Sequence, residues 1–197
     1  MTDHIQELLQ FFIQDRKHRA LREPESDKYH YAKIYKEKEL SDLSRSVYRL
    51  KDMLAKEKPV VFPFEKIAFL RTVPTIPEIF TEEEFAAISA QNYIHEQGKV
   101  CNISPEYSLL LNTGLEKKRA QVSQAYDHFK ESGDSQKAEY EKALLDTIDT
   151  ILSFCDRYRE EAKRQGNHTV ADTLSRIPRQ KPQTLLEALQ FMRIIHY

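Results

Sequence analysis

The sequence predicts a mainly α-helical fold with little strand. Apolar residues recur at helical spacing over most of the 197 residues, and only four residues are glycine. Serine, threonine and glutamate also occur in the arrangement that caps helix N-termini. Hydrophobic residues make up 40% of the chain, which is sufficient for a folded core.

The first 58 residues are predicted to form amphipathic helices. Two apolar stripes have helical spacing, namely Ile5, Leu8, Leu9, Phe12 and Ile13, and then Leu40, Leu43, Val47, Leu50 and Leu54. Spacings of three and four residues place each stripe on one face of a helix. Each stripe therefore predicts a helix with one buried face.

The pattern changes between residues 59 and 80, where prolines at 59, 63, 74 and 77 forbid a continuous helix. Short β-branched and aromatic runs indicate extended chain there, with a short strand predicted over Ile67–Val73. Thr81 and Glu84 then form a predicted capping box, which restarts a helix that extends toward His95.

Two long helices are predicted in the second half of the chain. Ser104 is the expected N-cap and Pro105 the first residue of a helix reaching Phe129, interrupted in register only by Gly114. The polar run ESGDSQ at 131–136 ends this helix, and apolar residues from 140 to 162 define the next one. A short turn between long helices predicts an antiparallel hairpin.

A last helix begins at a second predicted capping box, formed by Thr184 and Glu187, after the connector RIPRQKPQ. The sequence stops at Tyr197 inside this helix without a stop signal. One interpretation is a terminal helix that frays. The other is that the chain is the front part of a longer polypeptide.

Composition and motifs exclude several classes of function. Thirty basic and thirty-one acidic residues are interleaved, which indicates neither a nucleic-acid partner nor a membrane-binding stripe. There is no glycine-rich nucleotide motif and no C-x-x-C pair, and position 99 is a lysine where a His95-Glu96 zinc motif would need its second histidine. We predict no metal, no cofactor bound by this segment and a reducing, cytoplasmic compartment.

A nearly uncharged corner, EQGKVCNISPEYSLLLNTGL at 96–115, holds the candidate site residues. Cys101 precedes a helix N-terminus, where a thiolate is stabilised, although a small structural thiol is the alternative. Lys99 is a candidate contact for an anionic ligand or an ordinary solvated lysine. Cys155 lies on an apolar stripe and is expected to be a core residue.

Four segments in order resemble the N-terminal part of the glycyl radical enzymes, the pyruvate formate-lyase-like family. They are PFEKIAFLRTVPTIPEIF, GKVCNISPEYSLLLNTGL, SFCDRYREEAKRQ and IPRQKPQTLLEALQFMRIIHY. The resemblance covers roughly residues 60–197, so we divide the chain into N-terminal helices at 1–58 and the first part of a pyruvate formate-lyase-like domain at 59–197.

The resemblance implies that the helices are the N-terminal portion of an α/β barrel, in a chain truncated at its C-terminus. The longer enzyme would cleave a C–C, C–O, C–N or C–S bond of a small-molecule substrate by radical chemistry. Its glycyl radical would be installed by a radical SAM iron–sulfur activating enzyme, and the implied partners are that enzyme, the remaining barrel with the glycyl radical domain, and a second copy in a homodimer. The catalytic cysteine and radical glycine would lie outside residues 1–197, so no catalytic residue is assigned here.

The same resemblance singles out Asn102, four residues before Glu106, at a position that faces the family's active-site cavity. An arginine stands there in pyruvate formate-lyase, and often a histidine in the dehydratases. A neutral amide cannot pair with a carboxylate as arginine does, so an eliminase or decarboxylase is favoured over a pyruvate formate-lyase. Asn102 capping its own turn is the alternative for this residue. For the whole chain, the alternative is an inactive, standalone helical scaffold or interaction module.

Overall fold

The computed structural model describes residues 2–14, 27–69, 77–91 and 105–196. These ranges form helices joined by turns and irregular segments, without a strand, which confirms the mainly α prediction. The helices are α1 (Asp3–Leu9), α2 (His30–Glu37), α3 (Asp42–Lys56), α4 (Glu82–Ala90), α5 (Tyr107–Thr113), α6 (Leu115–Glu131), α7 (Ser135–Arg164), α8 (His168–Arg176) and α9 (Leu185–Ile195). A π-helical turn at Gln10–Gln14 follows α1.

The first apolar stripe is helical, but the prediction that it is buried is wrong. Ile5, Leu9 and Ile13 are exposed, and the buried residue is Phe11. The wider π-helical turn rotates the register of the side chains, which turns Phe11 toward the aromatic residues of the next segment. The centroid of the Phe11 ring lies 4.6 Å from that of the Phe62 ring, and the two rings meet edge to face.

Helix α3 begins at an N-cap, because the Ser41 hydroxyl accepts a hydrogen bond from the Ser44 amide at 3.3 Å. Of the second apolar stripe, Leu54 alone is fully buried, and it packs in the same core as α7. The other end of α3 is capped from α7: Arg157 donates to the carbonyl oxygen of Leu54 at 2.7 Å and also to that of Glu57.

The strand prediction at Ile67–Val73 is wrong over residues 67–69, which are irregular, and the rest of that range lies outside the described residues. Phe69 has a φ of 75°, in the left-handed region that a strand does not use. Its carbonyl oxygen accepts from Arg193 Nε at 2.9 Å, and the Ala68 amide donates to Gln190 Oε1 at 2.7 Å. Side chains of α9 thus replace a partner strand in satisfying this backbone.

The same irregular segment is held from α7 and α8. Asn167 Nδ2 donates to the carbonyl oxygens of Phe62 and Glu65, each at 2.9 Å. The Tyr158 hydroxyl donates to the buried Glu57 carboxylate at 2.7 Å. Buried polar groups that are hydrogen-bonded in this way fix the path of a segment that has no regular structure.

Helix α4 starts at the predicted capping box, which is confirmed. Glu84 accepts from the Thr81 amide at 2.8 Å, and Thr81 accepts from the Glu84 amide at 3.3 Å. Glu84 also receives two hydrogen bonds from the guanidinium of Arg45 on α3, at 2.9 and 3.0 Å. The Arg45 hydrogen bonds, with a smaller contribution from the Thr81 amide, lower the pKa of Glu84 from 4.5 to about 2, although burial opposes the change. The predicted extension toward His95 lies outside the described residues.

The predicted helical hairpin is confirmed as α6 and α7, which are joined at residues 132–134. The Asp134 carboxylate caps α7 by accepting from the Lys137 amide at 3.1 Å. The prediction of one helix from Pro105 to Phe129 is wrong, because the chain breaks at Gly114 into α5 and α6.

Helix α8 was not anticipated from the sequence. Gly166 ends the preceding turn with a φ of 71°, and the Asn167 side chain caps α8 by accepting from the Val170 amide at 3.0 Å. Val170 and Leu174 are buried against the hairpin. A helix of 9 residues with one apolar face was too short to recognise beside the 30-residue α7.

Half of the second predicted capping box is present. Thr184 accepts from the Glu187 amide at 3.2 Å, but Glu187 accepts from the amide of Gln183 at 2.6 Å instead of that of Thr184. Its second carboxylate oxygen accepts from Arg176 Nε at 2.9 Å, which ties α9 to α8. Burial raises the pKa of Glu187, yet these hydrogen bonds outweigh burial and hold that pKa below its usual value.

One apolar core joins α3, α6 to α9 and the irregular segment. Its largest fully buried side chains include Tyr158, Phe69 and Phe191. Leu54 belongs to this core, so α3 packs directly on residues of the second predicted unit. The division of the chain at residue 58 stays a prediction. In the part of the chain that the structure describes, no helix is long and apolar enough to cross a bilayer.

Candidate functional site

The sequence-predicted site residues Lys99, Cys101 and Asn102 lie outside the described residues. The structure describes the corner from Pro105 onward, a stretch that includes α5. Its geometry, and that of the elements that hold it, is the part of the predicted site that can be described.

Helix α5 begins later than the sequence predicts. Tyr107 is its first residue and Glu106 its N-cap, so Pro105 precedes the helix instead of opening it. The Tyr107 amide donates to the Pro105 carbonyl oxygen at 2.9 Å, and the side chain of Glu106 makes no capping hydrogen bond. The predicted N-cap, Ser104, lies outside the described residues. The chain therefore enters α5 through a tight backbone turn.

The first residue of α5 is anchored to the end of α9. The Tyr107 hydroxyl and His196 Nε2 are hydrogen-bonded, and the two rings are stacked with centroids 5.5 Å apart. These residues are 89 positions apart in the chain. The contact brings together two of the segments that resemble the family, the corner and the segment that contains α9.

The other end of α5 is anchored at Gly114, which has a φ of 75°. The amides of Leu115 and Glu116 donate to the carbonyl oxygens of Pro178 and Arg179 at 2.9 and 3.0 Å. A Cβ atom on Gly114 would lie 2.5 Å from the Arg179 oxygen. This close approach, together with the left-handed φ, requires glycine at this position.

Arg179 fastens the same connector to the hairpin. It forms ion pairs with Asp156 of α7 at 2.6 Å and with Glu116 of α6 at 3.6 Å. A groove of about 500 Å³ between α6 and α7 is lined by these three residues and by Arg119 and Asp149. Arg119 holds Asp149 with two hydrogen bonds at 2.6 and 2.9 Å, and this contact lowers the pKa of Asp149. Each charge lining this groove is thus paired within the protein.

A second groove, of about 290 Å³, lies between α3 and α7. Its lining includes Lys51, Asp146, Ser153 and Arg157. Arg157 is engaged with the end of α3, and Asp146 with Lys142. Of these groups, Arg157 joins α7 to α3, whereas Asp146 is paired within α7.

Cys155 is the core thiol that its stripe predicts. It is 2% exposed, and burial raises the pKa of its thiol well above the usual range. A thiol held protonated in an apolar core is a poor nucleophile. Among the described residues, no three His, Cys, Asp or Glu side chains are grouped as metal ligands would be.

Sequence reasoning missed the contacts that hold α5. The Tyr107–His196 pair and the Gly114 junction join positions far apart in the chain, so no local pattern encodes them. The only available sign was a glycine inside an apolar helical pattern, which indicates a close backbone approach.

Comparisons with known proteins extend these observations. A model of the family described as pyruvate formate lyase-like matches residues 75–197. The chain is also similar to a solved structure, a glycyl radical enzyme from Archaeoglobus fulgidus, with a TM-score of 0.66 and 15% sequence identity. That similarity covers 98% of this chain and 33% of the other, so the chain spans about a third of the length of its structural relative.

Among curated protein sequences, no match to the chain is found. The family match nevertheless includes the corner, the α6–α7 hairpin, the connector and α9. Because it extends over more than half of the residues, it is sufficient to assign the family. The chain belongs to the pyruvate formate lyase-like family of glycyl radical enzymes.

Proposed function

We propose that this chain is the helical part of a glycyl radical enzyme that cleaves a C–C, C–O, C–N or C–S bond of a small molecule in the cytoplasm. The observation that carries the proposal is the family match over residues 75–197, which spans the corner and the helices that hold it. The remaining barrel supplies the catalytic cysteine and the radical glycine, which a radical SAM activating enzyme converts to its radical form. The assembled enzyme is a homodimer.

Within this enzyme, Asn102 contributes one wall of the substrate cavity. A neutral amide donates and accepts hydrogen bonds but does not form the bidentate ion pair of an arginine with a carboxylate. The substrate group that meets Asn102 is therefore a hydroxyl, an amine or another neutral polar group. This property favours an eliminase or a decarboxylase over a pyruvate formate-lyase. Lys99 and Cys101 border the same wall.

The first test examines the coding sequence and the formation of the glycyl radical. The coding sequence that accompanies residues 1–197, in the same or a neighbouring frame, should encode a cysteine-bearing loop and a C-terminal glycine motif. The complete protein, incubated anaerobically with its activating enzyme, should give the electron paramagnetic resonance doublet of a glycyl radical. Finding neither motif, or no radical in the complete protein, would refute the proposed activity.

The second test addresses Asn102 in the complete enzyme. Asn102→Ala should raise KM for the substrate at least tenfold, because a hydrogen bond in a desolvated pocket is lost. The matched control is Asn112→Ala, since Asn112 is exposed on α5 and lies in the same family segment. Equal KM values for the two variants would show that Asn102 only shapes its own turn.

A second candidate function is an inactive helical scaffold. It is favoured by one observation, that residues of α3 and α6 to α9 build a shared core within this chain. A scaffold would unfold cooperatively as purified residues 1–197 and would bind partners without any turnover. Both candidates predict that residues 1–197 alone have no lyase activity, so turnover by the purified chain would contradict both.

A further inference from the structure

Helix α9 is buried on one face and carries an apolar stripe on the opposite face. At 3.6 residues per turn, one face carries Glu187, Gln190, Phe191 and Ile194, and the opposite face carries Leu185, Leu189, Met192 and His196. The first set is buried in the core. The second set, which we name the outer stripe, points away from it, and its leucines at 185 and 189 are 76% and 42% exposed.

The outer stripe lacks any aspartate, glutamate, lysine or arginine. Both charged residues of α9 lie off the stripe and are engaged elsewhere, Glu187 with Arg176 and Arg193 with the carbonyl oxygen of Phe69. Leu109 on α5, the helix that packs beside α9, is also exposed. Exposed apolar side chains that lie together without a charged residue among them are typical of a surface that another protein layer covers.

We propose that the outer stripe is the surface on which the barrel-forming remainder of the glycyl radical enzyme packs. This inference rests on the proposed function, because it requires that such a remainder exists. Two observations select this occupant over a transient partner. The stripe is free of charge, as in permanent interfaces, whereas transient interfaces are as polar as ordinary surface. In addition, the chain covers only 33% of its structural relative, so about two thirds of that fold is available to cover α9.

The test uses two polypeptides produced together, residues 1–197 with an affinity tag and the remainder of the enzyme without one. The double variant Leu185→Asp with Leu189→Asp should lower the affinity between the two polypeptides at least tenfold. The matched control is Ile5→Asp with Leu9→Asp, because these residues have the same four-residue spacing and are 45% and 42% exposed. The control should bind the remainder as the unchanged chain does.

A folding measurement separates docking from misfolding. Because Leu185 and Leu189 are exposed, residues 1–197 with both substitutions should keep the urea midpoint of the unchanged chain. Equal affinities for the two double variants would overturn the proposal. The proposal would also be overturned if residues 1–197 formed a dimer that is lost only in the outer-stripe variant, because a second copy would then cover the stripe. If the complete protein forms no glycyl radical but the outer-stripe variant still lowers the affinity, the docking surface stands and the proposed enzyme activity is refuted.

Discussion

Replacing Gly114 with alanine should destabilise the protein much more than the same change at Gly133. Both glycines have a positive φ, 75° and 77°, so each substitution carries a backbone penalty of about 1 to 2 kcal/mol. At Gly114 the penalty reaches at least the upper end of this range, because its ψ of 163° places it in a region that is essentially open to glycine alone. Alanine also reduces the freedom of the unfolded chain, which stabilises the folded state by roughly 0.4 to 1 kcal/mol in each case. The two sites also differ in their neighbours. Nothing lies within 4 Å of a Cβ atom on Gly133, whereas one on Gly114 would meet backbone atoms of residues 179 and 180 at 2.5 to 2.8 Å.

Backbone atoms cannot rotate away as the end of a side chain can, so α5 or the connector must move. Overpacking of this kind costs typically about 1 to 3 kcal/mol. We therefore expect Gly133→Ala to cost about 1 kcal/mol and Gly114→Ala at least about 3 kcal/mol. Urea unfolding of purified residues 1–197, followed by circular dichroism, measures both, provided that the m values are equal. Costs within about 0.5 kcal/mol of each other would refute the close approach of Gly114 to the connector.

Three further predictions concern the contacts that join the helices. Glu84→Gln should cost about 2 kcal/mol at pH 7, because the pKa of Glu84 is lowered from 4.5 to about 2 by Arg45. A lowered pKa contributes stability above pH 4.5 that is lost as the pH falls toward 2, so the difference between the two proteins in urea unfolding should shrink over that interval; a difference independent of pH would contradict the ion pair. Cys155 should resist alkylation in the native protein and react only in urea, as peptide mass spectrometry can detect, and native labelling would show that the core opens. Asn167→Ala should cost about 3 kcal/mol and Asn167→Ser about 2 kcal/mol, since serine keeps the α8 cap but is too short to donate to Phe62 and Glu65. Equal unfolding free energies for alanine and serine would mean that Asn167 acts only through those donated bonds.

Helix starts were predictable where the stabilising contact is local. Thr81 and Glu84 are three residues apart and satisfy each other, so the sequence alone identifies the start of α4. Thr184 also caps as expected, but the Glu187 carboxylate accepts hydrogen bonds from Gln183 and Arg176 because α8 lies beside it. The contact between Thr184 and Glu187 is local, whereas the contact between Glu187 and Arg176 depends on the tertiary fold, which periodicity and capping motifs do not encode.

Tertiary contacts also explain two of the failures of secondary-structure prediction. Apolar spacing continues through Gly114, yet the helix breaks there because the amides that follow it bond to the connector. Phe69 belongs to a β-branched and aromatic run, yet its carbonyl oxygen is held by Arg193, 124 residues later. In both places a distant backbone or side chain outcompetes the local preference, as expected where two elements meet closely.

The contacts of α5 limit where the candidate substrate wall can lie. Tyr107 is fixed by His196, and Gly114 by the connector, so α5 has little freedom at either end. Asn102 precedes Tyr107 by five residues, and a fully extended chain spans at most about 3.6 Å per residue, which gives a limit of roughly 18 Å between their Cα atoms. A substrate group that meets Asn102, as proposed, would lie within roughly that distance plus one side-chain length of Tyr107. The outer stripe ends at His196, which contacts Tyr107, so a remainder that covers the whole stripe would also approach the start of α5. Hydrogen exchange tests this expectation. If the remainder protects the amide of Leu189 but leaves the amides within residues 96–106 unchanged, the stripe and the corner are not covered together and the substrate lies elsewhere.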